Sequence, residues 1–197
     1  MKCLITGFAP MCGRESNKSW EVAQAAGLAA LSGCGLTAVQ LPVSFSWAPE
    51  VLRQSVHRLS PDIVLMLGES GAADKIKLER TALNMMDAVM PDNDGVLPCE
   101  APIDQTLPAA YISPLPLKEI RDAVAGEDIA VKISNSCGLY VCNRVYFEAM
   151  SICANECPGM KALFVHLPRE GMPTEVCVRA VEKIVSFLND YVHSKQI

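Results

Sequence analysis

Two residues in the second half of the chain have types and positions suited to acyl-transfer chemistry. Cys142 follows the small residues 136–138 and lies where a segment of helical periodicity begins. The N–H groups at a helix N-terminus favour a thiolate over a thiol and can hold an oxyanion. His166 ends the apolar run Ala162–Val165, which places an imidazole at the carboxyl end of a buried strand, where open α/β sheets form ligand crevices. Together the two side chains would be a nucleophile and its general base.

A third group would orient the imidazole and hold its tautomer, as an acidic side chain does in triad enzymes. Glu79 and Asp92 are the two candidates. Glu79 follows a predicted strand and a glycine-containing turn, so it faces the same crevice in one interpretation. In the other it is a surface carboxylate paired with Lys77 or Arg80. The residues alone leave these choices open, and the thiol and the imidazole also have plainer interpretations as a structural cysteine and a core histidine.

The other histidines and cysteines have simpler explanations. His57 lies among charged residues of a predicted helix, which favours a solvated face, and His193 lies near the last residue, where a catalytic group is rarely held. Cys153 and Cys157 are separated by three residues with no neighbouring histidine, a spacing unsuited to structural zinc. The nine cysteines, an odd number without a signal-peptide core, predict free thiols in a reducing, cytoplasmic compartment. We therefore expect no metal.

The elements that must position these residues follow an alternating pattern. Short β-branched apolar segments alternate with longer segments of helical period, which is typical of an α/β domain. The predicted strands are Lys2–Phe8, Leu36–Leu41, Asp62–Leu67, Ile129–Ile133 and Ala162–His166. The predicted helices are one that begins after Ser19 as its N-cap, then Pro49–Leu59, Pro116–Val124, Val141–Cys153 and Thr174–Val192. The pattern predicts a single-domain three-layer α/β/α fold with a twisted, mostly parallel open sheet flanked by helices.

The segment from Met90 to Pro116 departs from this alternation. It contains six prolines and shows no clean period. We expect an ordered excursion with a hairpin, because loops of this length within a compact domain are usually functional or packed against a partner.

Composition bounds the function further. The chain has 197 residues with 17 basic and 22 acidic side chains, which fits one domain over residues 1–197. A net charge of −5 without a basic stripe predicts no nucleic-acid partner. No run approaches the roughly 20 apolar residues of a membrane span, and the opening residues stop being apolar too soon for a signal peptide, so we expect no membrane partner.

Motifs spaced along nearly the whole chain occur together in one known family. They are Thr6-Gly7-Phe8 with Pro10, Gly13, Asn17, Ser19 and Trp20; Leu41-Pro42-Val43; Leu78-Glu79-Arg80 with Ala82 and Asn84; Asp87-Ala88; Pro91-Asp92-Asn93; Pro108-Ala109-Ala110-Tyr111; Leu115-Pro116; Ser134-Asn135; Gly138; Tyr140-Val141-Cys142-Asn143; and Val165-His166. In this order the chain resembles the pyroglutamyl-peptidase I family of cysteine peptidases, also called pyrrolidone-carboxylate peptidases.

The resemblance implies a function and a set of roles. Cys142 corresponds to the nucleophile, His166 to the general base and later acid, and Glu79, rather than Asp92, to the carboxylate that orients the imidazole. The implied reaction removes an N-terminal pyroglutamyl residue from a peptide through a thioester acyl-enzyme, without a metal or cofactor. A homo-oligomer, either a tetramer or a dimer, is also implied. The implied substrate-binding residues are Phe8, Met11, Asn17, Glu69 and Val141.

The chain departs from the family pattern at positions expected around the substrate pocket. Met11 stands where the family usually has a second aromatic wall. Glu69 and Asp74 put acidic residues where the family has an amide and a cation. Val89 replaces an arginine that lies by the oxyanion site in the family, and losing one such donor can cost roughly 2.7–4 kcal/mol of transition-state stabilisation.

Two alternatives therefore stay open. The first is a related thiol amidase or peptidase that uses the same three residues on a different N-terminal group. The second is a catalytically impaired homologue that keeps the scaffold for binding, although packing alone would not require Glu79, Cys142 and His166 to be retained together.

Overall fold

The computed structural model describes residues 1–28, 33–71 and 74–194. Its strands are β1 (Lys2–Phe8), β2 (Gly35–Leu41), β3 (Ile63–Ser70), β4 (Ile76–Glu79), β5 (Thr81–Leu83), β6 (Ala110–Ile112), β7 (Val131–Ser134) and β8 (Lys161–Pro168). Its helices are α1 (Lys18–Leu28), α2 (Trp47–Leu59), α3 (Leu117–Val124), α4 (Val141–Asn155) and α5 (Thr174–Ser194). None of the helices in these ranges is long and apolar enough to cross a membrane.

The main sheet has the strand order β2-β1-β3-β8-β4-β7. The strands β2, β1, β3 and β8 are parallel to one another, whereas β4 pairs antiparallel with β8 and β7 pairs parallel with β4. The mostly parallel α/β architecture predicted from the sequence is therefore confirmed. The sequence interpretation missed β4, which is only four residues long and contains two charged residues.

Helices cover both faces of the sheet because its central strands are buried on both sides. Successive strand side chains point to opposite faces, so Leu65 and Val165 pack with α1, α3 and α5 on one side. Val64 and Phe164 pack with α2 and α4 on the other side. The two apolar layers fix the sheet edge at which Phe8, Glu69 and the end of β8 emerge.

The proline-containing excursion is ordered by a short ladder and one side chain. The strands β5 and β6 pair antiparallel across the base of the excursion, and Met86 bridges Ala101 farther out. Both contacts pair the excursion with residues that precede Met90, so the expectation of a hairpin within Met90–Pro116 is wrong. Asn84 Oδ1 accepts hydrogen bonds from the N–H groups of Ile103 and Asp104. Its Nδ2 donates to the carbonyls of Asp104, Leu107 and Pro108.

The start of α1 differs from the prediction of a Ser19 cap, which is wrong. The helix begins at Lys18, and it is Asn17 whose side-chain oxygen accepts the Ser19 N–H at 3.0 Å. Ser19 is buried in the first turn, where its hydroxyl donates to the Asn17 side chain at 2.7 Å and accepts the Phe8 N–H at 2.9 Å. This contact ties the first turn of α1 to the end of β1.

Gly7 makes this close approach possible. A Cβ at Gly7 would lie 2.3 Å from the Ser19 carbonyl oxygen and 2.6 Å from Trp20 Cα, which are backbone atoms that cannot swing away. We expect Gly7→Ala to lower the free energy of unfolding by about 1–3 kcal/mol, measured by urea denaturation. Gly35→Ala is the matched control, because a Cβ on that β2 residue meets nothing within 4 Å. Equal stabilities for the two variants would contradict this packing.

Candidate active site

The antiparallel pairing of β4 with β8 brings Glu79 to His166. In the register Lys77 lies opposite His166 and Glu79 lies opposite Phe164. Because side chains alternate along a strand, Glu79, Phe164 and His166 all point to the same face of the sheet. His166 Nδ1 lies 2.8 Å from Glu79 Oε1, and both residues are buried. The surface-carboxylate interpretation of Glu79 is therefore wrong.

The imidazole is placed between two partners. Burial acts to lower the pKa of His166, but its hydrogen bonds with Cys142 and with Glu79 act in the opposite direction and raise the pKa to about 9. Since Nδ1 faces the carboxylate, the nitrogen left for the sulfur is Nε2. The arrangement favours an imidazolium between a carboxylate and a sulfur.

Glu79 has few other partners. Its Oε2 is buried and forms no hydrogen bond within the described residues. The Tyr146 hydroxyl donates to the main-chain carbonyl of Glu79 at 3.1 Å. Within the described residues, the Glu79 carboxylate therefore forms its hydrogen bond with the His166 imidazole alone.

Asp92, the other acidic candidate, has a separate role. Its carboxylate accepts the N–H groups of Phe45, Asp94 and Val96 at 2.8–2.9 Å. Asp92 thereby holds a turn of the excursion and leaves the imidazole to Glu79.

Cys142 is the second residue of α4 and is half-buried. The first intrahelical bonds run from Asn143 and Arg144 to the Tyr140 carbonyl. The N–H groups of Val141 and Cys142 find no acceptor in the described part of the chain, as expected for the first turn of a helix. Two free donors beside a thiol are a candidate oxyanion site.

Asn143 fixes the start of α4, a role that the sequence interpretation did not assign. Its fully buried amide donates to the carbonyls of Leu83 and Met85 at 2.8 and 2.9 Å, and its oxygen accepts the Leu83 N–H at 2.9 Å. The next residue after Cys142 is thus tied to the strand that follows Glu79. A lone asparagine in an apolar helical segment was the available sequence signal.

Gly68 leaves room for the imidazole. It lies opposite His166 on β3, and a Cβ there would come within 2.8 Å of the Phe164 ring and 3.0 Å of His166 Cδ2. The two rings contact each other with centroids 4.9 Å apart. Any larger residue at position 68 would displace the rings.

Cys142 lines a pocket of about 60 Å³ at the carboxyl ends of the parallel strands. Its other lining residues are Phe8, Met11, Asn17, Val43, Glu69, Tyr140, Val141 and Arg169. The structure thus brings all five residues predicted to bind substrate together around the thiol. Val43, Tyr140 and Arg169 are additions that sequence reasoning did not name as site residues.

Asn17 contributes mainly by holding the pocket loop. Its Nδ2 donates to the Ala9 carbonyl at 3.1 Å, while its oxygen accepts the two Ser19 bonds described above. The loop that carries Phe8 and Met11 is anchored in this way to α1.

Glu69 does not present a bare negative charge to the pocket. Its side chain is 4% exposed and accepts hydrogen bonds from both ends of the Arg14 guanidinium, from Arg169 Nε at 2.8 Å and from the Lys18 N–H at 3.0 Å. Burial acts to raise the pKa of Glu69, but the bonds from Arg14, Lys18 and Arg169 outweigh burial and lower it. The turn expected over residues 68–71 is wrong for its first three residues, because β3 continues through Ser70.

The other departures lie away from the pocket. Val89 is fully exposed and does not line it, so the expectation that Val89 borders the pocket is wrong. Asp74 forms a surface hydrogen bond with Lys132 at 3.2 Å. Ala72 and Ala73, which precede Asp74 in the sequence, lie outside the described residues.

The remaining candidates are distant from the thiol. His57 is half-exposed and lies 3.4 Å from Glu156, while His193 Nδ1 lies 2.6 Å from the Asn189 carbonyl of its own helix. A larger cavity of about 370 Å³ lies beside His57 and Cys157 at the amino ends of β3 and β8. The chemistry therefore lies in the smaller pocket.

Over residues 1–28, 33–71 and 74–194, no group of three or more His, Cys, Asp or Glu side chains is arranged to hold a metal ion.

The fold and the site define a class: an α/β protein with a thiol, an imidazole and a buried carboxylate in one hydrogen-bonded series beside a small pocket. The profile of the pyroglutamyl peptidase family matches residues 1–188. The chain belongs to that family, as the motifs predicted.

Individual relatives are similar in sequence to this protein over most of its length. A pyrrolidone-carboxylate peptidase of Thermococcus kodakarensis is 40% identical over 171 residues, covering 85% of this chain and 81% of the relative. A pyrrolidone-carboxylate peptidase of Levilactobacillus brevis is 34% identical over 190 residues, covering 96% of this chain and 92% of the relative.

Solved structures are similar in fold. The pyrrolidone carboxyl peptidase of Thermococcus litoralis superposes with a TM-score of 0.93 at 30% identity, covering 98% of this chain and 96% of the other. The pyroglutamyl peptidase I of Bacillus amyloliquefaciens superposes with a TM-score of 0.91 at 29% identity, covering 97% of this chain and 98% of the other.

The His166–Glu79 pair predicts a pH-dependent stability. Because contacts with Cys142 and with Glu79 raise the pKa of His166 above its ordinary value of 6.5, these contacts stabilise the fold fully below that value, and their contribution is lost as the pH rises through about 9. Glu79→Gln should lower the free energy of unfolding by about 2–4 kcal/mol near pH ~6 and by less near pH ~10, measured by urea denaturation.

Glu119→Gln is the control, because Glu119 is an exposed glutamate of α3. We expect it to lose little stability at either pH. If Glu79→Gln lowers the free energy of unfolding equally at both pH values, the result would contradict a charged Glu79–His166 pair.

Proposed function

We propose that the protein is a cysteine exopeptidase that removes N-terminal pyroglutamyl residues from peptides. The observation that carries the proposal is the buried Glu79–His166 pair, whose imidazole is hydrogen-bonded to Cys142 at a small pocket, in a chain of the pyroglutamyl peptidase family. In this proposal Cys142 is the nucleophile, His166 the general base and acid, and Glu79 the orienting carboxylate.

Acylation follows from the positions of these groups. The Cys142 thiolate attacks the carbonyl carbon that links the pyroglutamyl group to the peptide, and the carbonyl oxygen becomes an oxyanion facing the free N–H groups of Val141 and Cys142. When the C–N bond breaks, His166 Nε2 gives its proton to the departing amine. The product is a thioester of Cys142 and a shortened peptide.

Deacylation reverses the proton transfer. His166, now neutral, takes a proton from water as the water oxygen attacks the thioester carbon. The C–S bond then breaks, which releases pyroglutamate and restores the sulfur. Glu79 holds the ring in one tautomer through both steps because its carboxylate accepts the Nδ1–H.

The pocket suits a small flat ring. Phe8, Val43 and Val141 are buried apolar walls beside Cys142, and the half-buried side chains of Met11 and Tyr140 also line the pocket. The Tyr140 hydroxyl donates to the Pro91 carbonyl at 3.0 Å, which holds the excursion against the pocket. A lactam offers two flat faces to such walls and one N–H and one carbonyl for hydrogen bonds.

A second candidate is favoured by one observation. Met11 lines the pocket, and its thioether side chain is a more adaptable wall than an aromatic ring. This feature fits a thiol peptidase whose N-terminal specificity is shifted from pyroglutamate.

Three wider expectations complete the proposal. Residues 1–197 act as one domain, since the two apolar layers share a single sheet. The nine cysteines are free, which fits a reducing compartment such as the cytoplasm. Exposed apolar side chains of the excursion, including Leu97 and Met90, fit assembly into a homo-oligomer.

Cys142→Ala tests the nucleophile. The purified protein should release a fluorogenic amine from its pyroglutamyl derivative, and the variant should lose at least about 10³-fold in rate because no other group can form the acyl-enzyme. Cys153→Ala, a half-buried cysteine on the same helix, should retain the wild-type rate. Activity in Cys142→Ala would remove the assigned nucleophile, and an inactive wild type would favour the binding homologue.

A substrate panel separates the two catalytic candidates. We expect turnover of the pyroglutamyl derivative to exceed that of the prolyl, alanyl and glutaminyl derivatives. Preference for one of the latter would identify the shifted specificity.

A further inference from the structure

Arg169 lies where a pocket residue can act on the substrate. It follows β8 three residues after His166, and it lines the pocket together with Cys142. Its main-chain N–H donates to the Ser70 carbonyl at 3.2 Å, which continues the β3–β8 ladder by one bond.

The segment around Arg169 is held firmly. Lys18 Nζ donates to the carbonyls of Pro168, Arg169 and Met172 at 2.9, 2.6 and 2.9 Å. These bonds fix the path of the chain as it leaves β8.

The guanidinium itself is fixed on one edge. Its Nε donates to Glu69 Oε1 at 2.8 Å. A Cβ at Gly71 would lie 3.2 Å from Nη1 and 3.3 Å from Cζ, so the guanidinium packs against the main chain of this glycine. An arginine held in this way loses little further freedom when it binds a ligand.

The other edge of the guanidinium has no partner. Neither Nη atom of Arg169 forms a hydrogen bond within the described residues, although each carries two N–H donors. The side chain is 44% exposed and belongs to a residue that lines the pocket, so these donors are accessible to an oxygen of a bound molecule.

The group formed by Glu69 and the two arginines paired with it carries a net positive charge. Arg14 and Arg169 carry two positive charges against the single negative charge of Glu69, and Glu69 is the more deeply buried of the three. A protonated N-terminal amine entering the pocket would meet this excess of positive charge, whereas an uncharged acyl group would not.

We propose that Arg169 determines specificity by donating from its free edge to an oxygen of the substrate's N-terminal group and by disfavouring a protonated amine there. The substrate class is a peptide whose N-terminal group is uncharged and carries a carbonyl, as the lactam of pyroglutamate does. This inference rests on the proposed function and adds to it a residue that selects the blocked over the free N-terminus.

Small ring compounds test the inference directly. 2-Pyrrolidone and cyclopentanone carry the carbonyl without charge, and pyrrolidine is a protonated amine of the same ring size. Each is used as a competitive inhibitor of pyroglutamyl-derivative hydrolysis by wild type, Arg169→Gln and Arg14→Gln. Arg14→Gln is the matched control, because Arg14 also pairs with Glu69 but does not line the pocket.

In Arg169→Gln we expect the inhibition constants of 2-pyrrolidone and cyclopentanone to rise about tenfold, and that of pyrrolidine to fall. The KM of the pyroglutamyl derivative should rise about tenfold while kcat stays within about threefold, as for a lost binding contact. Arg14→Gln should raise the inhibition constants of 2-pyrrolidone and cyclopentanone much less than Arg169→Gln does. Arg169→Lys should keep pyrrolidine excluded, since it keeps the charge.

The outcomes separate the two proposals. An inactive wild type overturns the proposed function. An active wild type with unchanged inhibition constants in Arg169→Gln overturns only the role of Arg169. Equal effects of Arg14→Gln and Arg169→Gln would also overturn it, because the arginines would then act only by holding Glu69. Urea denaturation of each variant shows whether its fold is intact.

Discussion

A carboxylate with no exposed surface must be paired inside the protein, and the structure depends on how Glu79 is paired. Glu79 lies within the sheet, two residues farther from the pocket than the imidazole it contacts. Removing such a charge from water costs several kcal/mol unless a partner and hydrogen bonds offset it. His166 supplies the partner, and its contacts with Cys142 and with Glu79 together raise the pKa of the imidazole against the effect of burial. The sulfur of Cys142 completes the series at the surface of the pocket.

The rest of the fold holds this series in place from several sides. Gly68 leaves space for the ring, and Asn143 ties the start of α4 to β5. The pocket walls follow the carboxyl ends of β1, β2, β3 and β8, which is the usual position of ligand crevices in open α/β sheets. Contacts between distant segments, such as Lys18 with the end of β8, fix the loops that the strands alone would leave free.

The sequence was most informative where the signal is local. The apolar run before His166 and the helical period after Cys142 placed both side chains correctly, because burial and periodicity are properties of neighbouring residues. Glu79 could not be placed from the residues alone, since β4 is short and charged and its antiparallel pairing with β8 depends on the whole sheet. The family motif favoured Glu79, and the register supplies the physical reason. Arg169 was not identified because only the fold brings it to Glu69 and Gly71.

Alkylation of the nine cysteines at neutral pH tests the central interaction most directly. Cys12 and Cys99 are exposed and Cys142 is half-buried, so access alone would make the first two react faster with iodoacetamide. If the carboxylate and the imidazole activate the sulfur, mass spectrometry will find Cys142 modified first, and its advantage will disappear in Glu79→Gln. Modification of Cys12 and Cys99 ahead of Cys142 in the wild-type protein would contradict the account.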